Sequence, residues 1–247
     1  MAIPHRLAFN PRIGTQILVR CSSASSRSSR SSSTWANRTT LPGGFNADGL
    51  RDWAIRTDFG ADGYENMTGQ EIRRRRRQIS DDPKKEPYAD LFSKRVSDEC
   101  SQYLARHPSP SDVLGRAFFG SRSFMGEKLV LSSLNSLFSL YPGHATTLPT
   151  NFKLNEQYLE WKVTMKAPLE LICSFQIGGK VKGCTMLAFD PSLRKAYHGT
   201  CMDVAEERIE GFLPEKGIQM HKKYAQFLLD GMTDELENIA NEKDVEK

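Results

Sequence analysis

Between Tyr158 and Met202 apolar side chains recur at every second position. Leu159, Trp161, Val163 and Met165 alternate with Tyr158, Glu160, Lys162 and Thr164. Leu169, Leu171, Cys173, Phe175 and Ile177 alternate with Glu170, Ile172, Ser174 and Gln176. Successive side chains of a strand point to opposite faces, so this period predicts two half-buried strands, Tyr158–Met165 and Leu169–Ile177. Pro168 separates them and Gly178-Gly179 follows. Val181–Phe189 reads as a third strand, Asp190-Pro191-Ser192 turns the chain, and Lys195–Met202 reads as a fourth. Connections this short join antiparallel neighbours, which gives a meander with one apolar face in need of a cover.

The C-terminal segment supplies that cover. Ile218, Tyr224, Phe227, Leu228, Met232, Leu236 and Ile239 recur at helical spacing, with Lys222, Asp230, Glu235 and Glu237 on the other side. A helix of about 30 Å can lie across a sheet of four to six strands. The fold class expected is therefore α+β, an antiparallel meander packed on a long C-terminal helix.

Upstream, residues 41–66 are rich in Gly and Asp and read as irregular. Thr68-Gly69-Gln70-Glu71 is a capping box that starts a helix holding Arg73–Arg77, which ends before Asp81-Asp82-Pro83. Tyr88, Leu91, Phe92, Val96, Cys100, Tyr103 and Leu104 fit helical spacing, although Tyr88–Val96 alone also reads as a strand. Ser111 caps a helix with Leu114, Ala117 and Phe118 inward, interrupted at Gly120. A longer helix is expected from about Phe124 to Tyr141, stopped by Pro142-Gly143.

Charge divides the chain. The net charge is +4, yet residues 1–47 hold six arginines and neither lysine nor acid, which leaves 28 basic and 30 acidic side chains for the remainder. The basic character thus belongs to the leader, and a nucleic-acid partner is not expected of the rest. Residues 22–33 contain nine serines and two arginines. An Arg-rich, Ser-rich, acid-free segment has the composition of an organelle transit peptide. The expected address is mitochondrial, with chloroplast as the alternative, and the import machinery as the partner of residues 1–45. No apolar run is long enough to span a bilayer.

Five cysteines, Cys21, Cys100, Cys173, Cys184 and Cys201, form no C-x-x-C pair. Three lie in strand-like apolar runs, where Cys behaves as a small hydrophobe. Gly115 and Gly120 have phosphate-loop spacing but no lysine follows, and no H-E-x-x-H spacing exists. Five consecutive arginines, Arg73–Arg77, suit a phosphate- or RNA-binding patch, but no aromatic residue interleaves them, and a solvated helix face has the same pattern.

Several stretches carry a family resemblance: Tyr88-Ala89-Asp90-Leu91-Phe92, Leu114-Gly115-Arg116-Ala117-Phe118-Phe119, Tyr158-Leu159-Glu160-Trp161-Lys162-Val163 and His221-Lys222-Lys223-Tyr224-Ala225-Gln226-Phe227-Leu228. With the order helices, meander, terminal helix, the chain resembles an uncharacterised branch of the START-like, helix-grip superfamily of polyketide-cyclase-type and plant-allergen-type proteins. The resemblance implies that Tyr88–Val96 is a strand. It also implies a cavity between sheet and helix for a lipid or other small hydrophobic molecule. It carries no catalytic signature. The organisation expected is a cleavable leader over 1–45, an irregular segment with the Arg-rich helix over 46–87, and a START-like domain over 88–242.

On that reading Trp161, Phe175, His198 and Tyr224 are the candidate ligand contacts, although core packing explains the same pattern. No catalytic residue, metal ligand or cofactor is assigned. Two rivals remain: a cyclase- or hydrolase-type enzyme on the same scaffold, and an interaction or assembly factor using Arg73–Arg77.

Overall fold

A computed structural model describes residues 39–41, 44–60, 87–129, 147–177, 181–205 and 215–245. The expected leader, the helix expected over Arg73–Arg77, the expected extension of the Phe124 helix past residue 129 and the turn expected at Gly178-Gly179 all fall outside the described residues. Within them the elements are α1 (Ala47–Thr57), a 3-10 turn (Asp58–Gly60), β1 (Pro87–Arg95), α2 (Asp98–Arg106) and α3 (Pro110–Gly120). There follow β2 (Gln157–Tyr158), β3 (Trp161–Ala167), β4 (Glu170–Ile177), β5 (Val181–Asp190), β6 (Lys195–Ala205) and α4 (Glu215–Val245). Residues 122–129 are also helical.

The six strands form one antiparallel sheet in the order β1-β6-β5-β4-β3-β2. Strands β2 to β6 are a meander, and β1 closes it by pairing with the last strand. The ambiguous Tyr88–Arg106 stretch resolves into a strand and a helix. Ser97 separates them, and its hydroxyl accepts from Cys100 N at 3.0 Å to cap α2.

Helices cover both faces of the sheet. On one face Leu171, Cys173, Leu187, Phe189 and Ala196 pack with Leu114, Phe118 and Phe119 of α3 and Leu228, Leu229, Met232 and Leu236 of α4. On the other, Ile172, Cys184, Met186, Ala188, Tyr197 and Cys201 pack with Leu50, Trp53 and Ala54 of α1 and with Phe59. Helix α1 corrects the irregular reading of residues 41–66. Asn46 accepts from Gly49 N at 2.7 Å to start it, and Leu50, Trp53 and Ala54 give it a buried stripe. This second cover explains why Ile172 is buried although it alternates with the apolar positions of β4.

Two further corrections concern the strands. The expected strand Tyr158–Met165 is broken at Leu159-Glu160, where a tight turn joins β2 to β3 and pairs Tyr158 with Trp161. Leu159 takes a positive φ of 52° there. The register then shifts between Val163 and Met165, so Val163 joins the core on the α3 and α4 side of the sheet while Met165 joins the α1 side.

Helix α4 is fixed by polar contacts as well as by its buried stripe. Glu237 accepts from Ser97 N at 2.7 Å and Ser97 Oγ at 2.5 Å, tying α4 to the start of α2. The stripe is Ala225, Leu228, Leu229, Met232, Leu236 and Ala240. Tyr224 and Phe227, expected inward, are 38% and 55% exposed, because the helix presents the adjacent flank to the sheet. The side chain of Ile218 lies outside the described residues.

Helix α3 lies so close to the sheet that a Cβ on Gly115 would fall 2.5 Å from Phe152 Cε2 and 2.9 Å from Leu171 Cδ2. Gly115→Ala is therefore expected to destabilise the protein by about 1–3 kcal/mol in urea unfolding. Helix propensity alone would give a gain of about 1 kcal/mol. An observed gain would mean that α3 does not make this approach.

Candidate ligand site between the sheet and the terminal helix

The space enclosed by β3 to β6, α3 and α4 is dense with rings. Phe118 meets Phe119 and Phe124 at centroid distances of 5.0 and 5.4 Å. Phe119 meets Tyr158 at 5.3 Å and Trp161 at 5.6 Å, and Phe124 meets Trp161 at 5.1 Å, in edge-to-face arrangements. The sequence places these residues together through helical spacing on α3 and through the β2–β3 pairing. Phe118 and Phe119 leave the same turn of α3, while Tyr158 and Trp161 are opposite each other across a two-residue turn.

Within this interior two polar atoms stand out. Tyr158 Oη and Trp161 Nε1 are fully buried and have no hydrogen-bond partner. Buried donors are almost always paired, and leaving one unpaired costs about 1–3 kcal/mol. Other unpartnered buried side-chain atoms lie on other elements, such as Arg56 Nε on α1 and Ser111 Oγ and Arg116 Nε on α3. The Tyr158–Trp161 pair is distinguished by being cross-strand neighbours, whose Cβ atoms lie about 5 Å apart in such ladders.

A second polar group sits at the β1–β6 edge under the same helix. Asp90 is 6% exposed, and its carboxylate accepts from Tyr88 Oη at 2.8 Å and from Thr200 N at 3.1 Å. His221 Nε2 of α4 approaches Asp90 Oδ2 to 3.2 Å, off the line of a hydrogen bond. Tyr88 and His221 rings meet edge to face at 5.3 Å.

The four sequence candidates divide. Trp161 lies in the ring cluster with its indole N–H unpartnered. The Phe175 ring centroid is 6.4 Å from that of Trp161, and the ring lies over Gly183, its strand partner, whose missing side chain makes room for it. His198 points to the same side and meets Phe118 in a tilted ring contact at 5.0 Å, but its Nδ1 is already engaged, 3.1 Å from Ala225 O. A carbonyl only accepts, so Nδ1 carries the proton. Burial pulls the His198 pKa down to about 4, against the attraction of Asp90 and the bond to Ala225, so the ring is neutral near pH 7. Tyr224 is outside the interior, and its hydroxyl donates to Glu127, whose carboxyl is pushed up by burial.

Sequence reasoning missed Tyr158, Asp90 and His221. The alternation puts Tyr158 on the polar side of a continuous strand. The turn at Leu159-Glu160 puts it beside Trp161, and neither turn residue is Gly, Asn or Asp, so no turn signal was present. The convergence of Asp90, His198 and His221 is a product of β1 pairing with β6 across 110 residues.

Nucleophilic chemistry at cysteine finds no support. The four described cysteines are free and buried, and burial pushes Cys100 and Cys173 up to about 12. Among the described residues no group of His, Cys, Asp and Glu has the arrangement of a metal site, and no helix is long and apolar enough to cross a membrane. Compared with known proteins, the chain matches no family model, no curated protein and no solved structure.

Proposed function

We propose that the protein is a START-like binding protein, which holds a small, mostly apolar molecule between its sheet and its terminal helix. The observation that carries this reading is the pair of buried donors, Tyr158 Oη and Trp161 Nε1, unpartnered in an otherwise aromatic interior. An apolar enclosure with a few convergent polar groups is the usual form of a small-molecule site. The layout of meander and long helix supports the START-like resemblance. Native mass spectrometry of the chain purified from its own cells tests the reading. A co-purified small molecule, released on unfolding, is expected. A chain that carries none, and takes up none from a total lipid extract, would remove it.

The rival enzyme reading has one observation in its favour, the approach of His221 to a buried carboxylate with His198 close by. An acid–base catalyst needs such convergence. His221→Asn separates the two readings. A binding protein yields the same co-purified molecule from variant and native chain, whereas an enzyme yields accumulated substrate from the variant alone.

The proposed address is mitochondrial, on the composition of residues 1–45. Imaging of the tagged full chain beside a version lacking residues 1–44 is expected to show organellar signal only for the former. The same cytosolic signal from both would remove the address, and plastid signal would favour the chloroplast.

A further inference from the structure

We propose that the interior is built for an uncharged carbonyl compound, whose oxygen accepts from both Tyr158 Oη and Trp161 Nε1. This rests on the small-molecule reading above and adds the chemical class of the ligand.

The donor inventory sets the class. An indole N–H only donates, and a phenol with no acceptor beside it offers its proton. What completes the pair is a group that accepts twice and donates nothing. A carbonyl oxygen, with two lone pairs, does so. A hydroxyl ligand would bring a donor of its own that the ring cluster leaves unmatched. A hydrocarbon would leave both donors as they are.

Charge removes the carboxylate alternative. Tyr158 is 2% exposed and Trp161 5% exposed, and their neighbours Phe119 and Phe124 are rings. A carboxylate taken into such surroundings needs a cation, since an unpaired buried charge is far more costly than an unpaired dipole. The nearby ammonium of Lys128 lies over the face of the Tyr158 ring, 5.8 Å from its centroid, where it makes a cation–π contact. The occupant is then an apolar ketone, ester or tertiary amide, none of which brings a donor.

Three probes of nearly equal shape test this on the full chain: 2-acetylnaphthalene, 2-ethylnaphthalene and 2-naphthoate, titrated by calorimetry. The ketone is expected to bind about tenfold tighter than the hydrocarbon, as one or two hydrogen bonds to otherwise unpaired donors provide. Tyr158→Phe is expected to lose most of that preference while its affinity for 2-ethylnaphthalene stays the same. Trp161→Phe, which also shortens a ring, should lower the ketone preference further. Equal binding of ketone and hydrocarbon would overturn the carbonyl assignment and leave the binding reading standing. So would a Tyr158→Phe variant that weakens both probes alike, which marks a packing role. Tightest binding of 2-naphthoate would overturn it in favour of an anion. Binding of none of the three, with no co-purified molecule, would remove the binding reading and this inference with it.

Discussion

Asp90→Ala is expected to lose about 2–4 kcal/mol of unfolding free energy, the cost of removing a buried carboxylate from the donors it accepts from. The substitution leaves Thr200 N without its acceptor in a buried setting, removes one partner of Tyr88 Oη, and takes the carboxylate from His221. Each stranded group costs about 1–3 kcal/mol. Because these contacts join β1, β6 and α4, the loss falls on the closure of the sheet and on the seating of the terminal helix. Asp90→Asn keeps an oxygen for Thr200 N and offers an amide to Tyr88, so its loss should be about half as large. Urea unfolding at pH 7 measures both. A change below about 1 kcal/mol for the alanine variant would show that the network does not hold the helix.

Acid should weaken the fold through His198. Its ring is buried, and its pKa is lowered from the ordinary 6.5 to about 4. The sign follows from linkage. The unfolded chain binds a proton near pH 6.5 and the folded chain does so only near pH 4, so in that window the unfolded state holds more protons. Stability from the neutral ring is complete above pH 6.5, falls as pH drops toward 4, and is lost below that. A shift of this size corresponds to about 3 kcal/mol. The difference in unfolding free energy between pH 7 and pH 4 should therefore be about 3 kcal/mol larger in the native chain than in His198→Gln. Parallel pH curves for the two would mean that the ring is solvated or already charged.

Where a residue's role depended on local period, the sequence was a good guide. Leu171 and Cys173 lie on one face of the sheet as their alternation implies, and Leu228, Met232 and Leu236 lie on the buried flank of α4. It misled where a single residue changed the phase. The shift after Val163 sent Met165 to the other face, and the turn at Leu159 turned Tyr158 inward. Alternation carries no information about such breaks unless Gly, Pro, Asn or Asp marks them. Tyr224 and Phe227 failed for a related reason: an apolar helix with more than one greasy flank does not say which flank the sheet will take. Helix α1 was hidden because its apolar stripe is only Leu50, Trp53 and Ala54, too short to stand out in a Gly-rich stretch. The candidate site depended most on contacts distant in sequence, so Trp161 was legible as an apolar strand residue while its partner donor was not.

The unpartnered state of Tyr158 Oη is best tested on protein stripped of small molecules, by comparing the unfolding free energy of Tyr158→Phe with that of the native chain. A hydroxyl held in reserve for a ligand contributes nothing to the empty fold, so the variant should be as stable as the native chain or up to about 1 kcal/mol more stable. A loss of about 1 kcal/mol or more would mean that the hydroxyl is satisfied within the protein, and the paired-donor site would fall with it.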